Sequence, residues 1–167
     1  MDPSGAVSPP AAAAVTALRD RGWTLATAES LTAGLLAATV AEVPGASMVL
    51  RGGLIVYATD LKHDLAGVPT EILQRHGAVS AETARALAHG AARRCGADVG
   101  VGLTGVAGPD PQEGRPVGTV HIGVTVPGRQ PWSVPLELTG DRSRIRSAAC
   151  TTALELVIAA ATGKGDR

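Results

Sequence analysis

The chain is defined first by what it has little of. It has no phenylalanine, one tyrosine and two tryptophans, so aromatics make up 2% of its 167 residues. Proteins that hold single-stranded nucleic acid stack bases on aromatic rings, and this chain offers almost none. Fifteen basic residues balance fifteen acidic ones, and no basic run exceeds two residues, so there is no broad footprint for a polyanion. Nucleic acid is excluded as an expected partner. The two cysteines, Cys95 and Cys150, fit neither a disulfide framework nor a metal-ligand spacing. The four histidines, His63, His76, His89 and His121, show no metal spacing either, and no metal is expected. No apolar run approaches the ~20 residues of a bilayer span. The opening MDPSGAVSPPAAAA lacks the basic region of a signal peptide. These absences predict a reduced, cytoplasmic protein with no membrane contact.

What is present reads as one globular domain. Hydrophobic residues make up 45% and charged residues 18%, and 167 residues suffice for a single core. Residues 1–9 and 164–167 are expected to be tails around a domain of residues 10–163. PPAAAAVTALRDRG predicts a helix with proline at its start and Gly22 at its end. WTLATAE predicts a strand, TAGLLAATVAEV a helix capped by Ser30 or Thr32, and GGLIVYAT a buried strand. TDLKHDLAG predicts a short helix with Thr59 as its cap. PTEILQRHG and SAETARALAHGAARRCG read as two further helices. ADVGVGLTG reads as a second buried strand, and TVHIGVTV and WSVPLELTG as strands joined by the turn PGRQ. DRSRIRSAACTTALELVIAAAT closes the chain as a helix. Strands alternating with helices predict an α/β fold of three layers, α/β/α, around a mixed, mostly parallel sheet.

Several stretches carry possible chemistry. GVGLTG, residues 100–105, matches a dinucleotide fingerprint, but its first glycines fall inside a strand rather than in a strand-to-helix turn. TAESLTAG, residues 27–34, joins a strand to a helix whose free N–H groups suit an anion, unless a hydroxyl merely caps it. The glycine- and proline-rich loop 103–118 follows a buried strand, where α/β sheets bind ligands, or is a plain connection. Arg142 and Arg146 lie four apart at a helix start. They either clamp a phosphate or form a solvated face paired with Asp141. Ser47, in PGAS, is a cap or a nucleophile. Lys62 is one of two lysines against thirteen arginines, and a general base must be able to lose its proton, which arginine does not. At a helix start, the dipole and partial burial disfavour its ammonium form, while Asp60 and Asp64 oppose that. Tyr57 lies five residues earlier and either relays a proton or packs in the core.

AESLTAG, VPGAS, the run GG-x-x-x-Y-x-x-x-x-K, HGAVS, LTGVAGPD, RPVGTVHIGV and LTGDRSRIR follow one another in this order. Together they resemble the C-terminal domain of the competence/damage-inducible protein A family over roughly residues 10–160. Standalone members of that family are nicotinamide mononucleotide deamidases. The resemblance implies an amidohydrolase that releases ammonia from nicotinamide mononucleotide in pyridine nucleotide salvage, through a serine/lysine acyl-enzyme and without a cofactor. It implies Ser47 as nucleophile, with Lys62 and Tyr57 catalytic. It also implies Ser30, Thr32, Gly34, Thr104, Gly105, Gly108, Arg142 and Arg146 as substrate-binding residues. The partner would be a small nucleotide, and the chain a homo-oligomer. A non-catalytic nucleotide-binding module, or an amidase of another phosphorylated amide, are the competing readings. The sequence departs from the family at Leu31 and Ala33, where a cysteine and a glycine are usual, and at PQEG, where a glycine pair is usual. The pyrophosphatase domain of longer members has no counterpart in it.

Overall fold

Glycines end the helices where the sequence places them. Helix α1 (Pro9–Arg21) stops at Gly22 and helix α5 (Ala81–Cys95) at Gly96, both in the left-handed conformation that side chains resist. The computed structural model describes residues 7–163. Most of the two expected tails lies outside those residues, and Pro9 is already helical. The other elements are β1 (Leu25–Glu29), α2 (Leu35–Ala41), β2 (Leu50–Ile55), α3 (Thr59–Asp64), α4 (Thr70–His76), β3 (Val99–Gly105), β4 (Thr119–Thr125), β5 (Trp132–Glu137) and α6 (Arg142–Thr162).

The five strands form one sheet in the order β2-β1-β3-β4-β5. β1 pairs in parallel with both β2 and β3, whereas β4 runs antiparallel to both its neighbours. The sheet is therefore mixed, with pairings evenly divided between the two kinds. Helices α1, α2 and α6 cover one face, and α5 lies on the other, giving the three layers expected.

Side-chain parity divides β3 between the faces. Val99, Val101 and Leu103 join Leu18, Ile145 and Leu154 in the larger core. Gly100 and Gly102 turn the other way, where a Cβ would strike the backbone of α5 at Ala88 and Ala84. The GVGLTG run is thus a packing device that lets a helix lie close on the sheet. Helix α6 has the length and hydropathy of a bilayer span. Here it packs along α1 and the sheet, with Ile145, Ala149, Leu154 and Val157 buried.

Three local readings differ from expectation. β2 is an edge strand whose residues alternate between exposed and half-buried, because the chain crosses to β3 on the far side of β1. Ala58, not Thr59, stands at the cap position of α3, and no side chain caps that helix. Neither Ser30 nor Thr32 caps α2. Gly34 holds the cap position in a left-handed conformation, and the free N–H groups go to a carboxylate. Glu29, 1% exposed, accepts from Gly34 and Leu36 N–H at 2.9 and 3.0 Å and from Ala37 N–H at 2.9 Å. The Thr27 hydroxyl donates to it at 3.0 Å. The anion site at this helix start is filled by the protein itself.

Candidate active site

Parallel pairing brings distant segments side by side at the carboxyl ends of β2, β1 and β3. Glu29 pairs with Ile55 and with Leu103. One residue further on, Val56 N–H donates to the Glu29 carbonyl at 2.9 Å and Ser30 N–H to the Leu103 carbonyl at 3.0 Å. Ser30 therefore sits between the ends of its two neighbouring strands, which lie ~4.8 Å to either side. This is the position, beyond the strand ends and where connections diverge, at which α/β sheets bind ligands.

A cavity of about 110 Å³ opens here, lined by Ser30, Leu31, Tyr57, Lys62, Thr104 and the loop from Gly105 to Gly108. Ala78 and Val79, ahead of α5, line it too, as do Asp110 and Gln112 of the loop and Arg142 of α6.

Lys62 is 2% exposed, the largest fully buried side chain of the described residues. Its Nζ donates to the Val56 carbonyl at 2.9 Å, with the Tyr57 and Ala58 carbonyls at 3.3 and 3.5 Å. These three carbonyls close the turn between β2 and α3, so the amine is moored to the strand end. Burial pulls its pKa from 10.5 down to about 8, while the negative charges of Glu113 and, secondarily, Asp60 push back. An amine so placed exchanges its proton near neutral pH. Cys150, by contrast, is buried in the core, where burial and the nearby Glu29 push its thiol up to about 12. It stays protonated and inert.

Tyr57 is not in the core, as one of its readings had it, but 54% exposed. Its carbonyl meets Lys62, and its hydroxyl instead accepts from Arg142 Nη2 at 2.7 Å. Arg142 Nη1 donates to the Gly108 carbonyl, also at 2.7 Å. The guanidinium thus straps the β2–α3 turn to the glycine loop at the rim. Among the described residues it bonds only to these neutral groups, since Asp141 caps α6 by accepting from Arg144 N–H. A cation in the first turn of a helix runs against the dipole, and among the described residues no carboxylate pairs with this one. Thr104, on β3, donates its hydroxyl to the Ala78 carbonyl at 2.6 Å.

The structure separates four expected site residues from this cavity. Ser47 is exposed in a 3₁₀ turn before β2. Lys62 lies beyond the other end of that strand, and six extended residues span ~20 Å. Within the chain the two cannot share a proton. Arg146 turns away, its Nε and Nη2 donating to the Leu31 and Thr32 carbonyls at 2.9 and 2.7 Å. Thr32 is buried behind that loop and its Oγ1 meets no partner among the described residues. Gly34 gives its N–H to Glu29. Sequence reasoning assigned no role to Ala78, Val79, Asp110 or Gln112. The HGAVS segment was the one signal for the first two.

A family model described as the CinA C-terminal domain matches residues 7–161. A CinA-like protein of Frankia casuarinae is 52% identical over 141 residues, which cover 84% of this chain and 32% of that protein. The chain spans about a third of the length of the curated relatives it matches. Among solved structures, the competence/damage inducible protein CihA from Agrobacterium tumefaciens superposes with a TM-score of 0.86 at 38% identity, over 90% of this chain and 92% of that one. A CinA superfamily protein from Klebsiella pneumoniae superposes with a TM-score of 0.88 at 29% identity, over 92% and 96%.

Proposed function

The chain belongs to the CinA C-terminal domain family, and from that premise we propose that it is an amidohydrolase acting on nicotinamide mononucleotide, with Ser30 as nucleophile and Lys62 as base. One observation carries the reading. A serine and a buried amine of lowered pKa open on the same cavity, whose rim holds an arginine that, among the described residues, bonds only to neutral groups. We assign the nucleophile's role to Ser30 rather than to Ser47, which the family resemblance implied, since Ser30 lines the cavity with Lys62 and Ser47 does not.

The neutral Lys62 amine takes the Ser30 proton, and Oγ attacks the carboxamide carbon. The new C–O bond puts negative charge on the carbonyl oxygen, which backbone N–H groups of the cavity wall would hold. Collapse breaks the C–N bond, and the Lys62 ammonium gives its proton to the departing nitrogen, releasing ammonia. Water then cleaves the ester, leaving the carboxylic acid and free serine. Arg142 offers the mononucleotide's phosphate a charged partner at the rim.

The test is ammonia release from nicotinamide mononucleotide by the wild type and by Ser30→Ala, Lys62→Arg and Ser47→Ala proteins. Turnover lost in the first two and kept in the third is expected. Full rates in Ser30→Ala or Lys62→Arg defeat the mechanism. Binding without release defeats hydrolysis in favour of a nucleotide-binding module.

A further inference from the structure

The loop between β3 and β4 holds a glutamate in an unusual backbone. Gln112 and Arg115 face each other across a tight turn, with Gln112 N–H donating to the Arg115 carbonyl at 3.1 Å and Arg115 N–H to the Gln112 carbonyl at 2.8 Å. The two residues between them, Glu113 and Gly114, both have positive φ, 51° and 70°. That sign pattern belongs to turns whose first central position is normally Asn, Asp or Gly. A glutamate there is strained.

The strain aims the side chain. Glu113 Oε2 accepts from Ala78 N–H at 2.8 Å and from Val79 N–H at 3.4 Å. Both donor residues, Ala78 and Val79, line the cavity that holds Lys62 and Ser30, and Asp110 and Gln112 from the same loop line it as well. Gly77 makes room for the contact, since a Cβ there would stand 2.6 Å from the carboxylate oxygen. The other ionisable groups about Lys62 are Asp60 on α3, Asp110 on the loop, Tyr57 on the β2–α3 turn and Arg142 on α6. Of the charges that favour its ammonium form, Glu113 is foremost, ahead of Asp60.

We infer that Glu113 is a positioning residue, which fastens loop 106–118 across the Lys62 chamber and sets a fixed negative charge beside that amine. This rests on the hydrolase reading for its purpose, but its test does not need turnover. The sequence has two lysines, so protein labelled with ¹³C at lysine Cε gives two resonances, and Lys62→Arg identifies one of them. Glu113→Gln keeps an oxygen for the two N–H groups and removes the charge. The Lys62 titration midpoint should then fall by about half a pH unit. Glu113→Gly suits the positive φ, keeps the fold, and should lower the midpoint in the same sense. A midpoint unchanged in both variants overturns the inference. In the ammonia assay, Glu113→Gly should raise KM severalfold and Glu113→Gln leave it within about twofold, because only the first releases the loop. Equal KM values in all three proteins overturn the fastening. A wild type that releases no ammonia refutes the hydrolase reading and leaves the titration to decide this one.

Discussion

The two ends of β2 are chemically opposite. At its amino end, Ser47 is solvent-exposed in a short 3₁₀ turn next to an exposed Met48. At its carboxyl end, Lys62 is buried against three carbonyls and shares a cavity with Ser30 and Thr104. Both ends carry residues of reactive type. What separates them is the company the sheet provides. β1 and β3 run parallel to β2 and end beside its carboxyl end, so three connections turn over there together. A hydroxyl becomes a candidate nucleophile through what lies next to it in space, and the carboxyl end of the strand holds a buried amine of lowered pKa.

That contrast can be broken most directly by exchanging serines. Ser30→Ala should cost at least about 10⁴-fold in kcat, and Lys62→Arg about 10²–10⁴-fold, whereas Ser47→Ala should stay within about twofold. Steady-state ammonia release decides it, and a large loss from Ser47→Ala alone would reverse the assignment. Next in size is the rim. Arg142→Gln should raise KM for the mononucleotide about tenfold with kcat little changed, and kinetics on a substrate lacking the phosphate should show no such penalty.

The pH profile sharpens the comparison further. With Lys62 near 8, about a tenth of the amine is neutral at pH 7 and about half at pH 8. kcat/KM should therefore climb roughly fivefold across that unit and level off above it. Stability follows the same group. Its folded pKa lies below the unfolded 10.5, so the unfolded chain holds more protons between about pH 8 and 10.5. The burial penalty is complete below that window, and stability rises with pH across it. Denaturant midpoints measured along the series check the sign.

Smaller effects probe the scaffold. Glu29→Gln presents an amide where three N–H groups expect a carboxylate, and should cost about 2 kcal/mol of stability with the chemistry intact once folded. The smallest concerns Ala33, which has a φ of 50°. Ala33→Gly should stabilise by up to about 1 kcal/mol, read as a rise in Tm.

Lys62 was legible in the sequence for a sound reason. A chain that prefers arginine kept one internal lysine, and of those two cations only lysine readily gives up its proton when buried. The α/β alternation and the glycine helix ends were legible too, since both are local. Which serine, Ser30 or Ser47, shares the Lys62 cavity was not. Choosing between them requires knowing which strand ends lie side by side, and that depends on the 2-1-3 strand order, which no local pattern carries. The occupied start of α2 was also hidden. Glu29 reaches N–H groups five, seven and eight residues ahead, outside the spacing of any capping motif. The departure at Ala33 became intelligible only with its backbone angle, which accounts for the glycine usual there.

The cavity draws Ser30, Lys62, Thr104 and Arg142 from segments spread over most of the chain. No fragment that folds early by local contacts contains all four. Such long-range closure belongs among the slower steps of assembly, so in a refolding experiment helical signal should return well before ammonia release does. The lag between the two traces would time the moment at which the strap from Arg142 to Tyr57 and Gly108 is drawn tight.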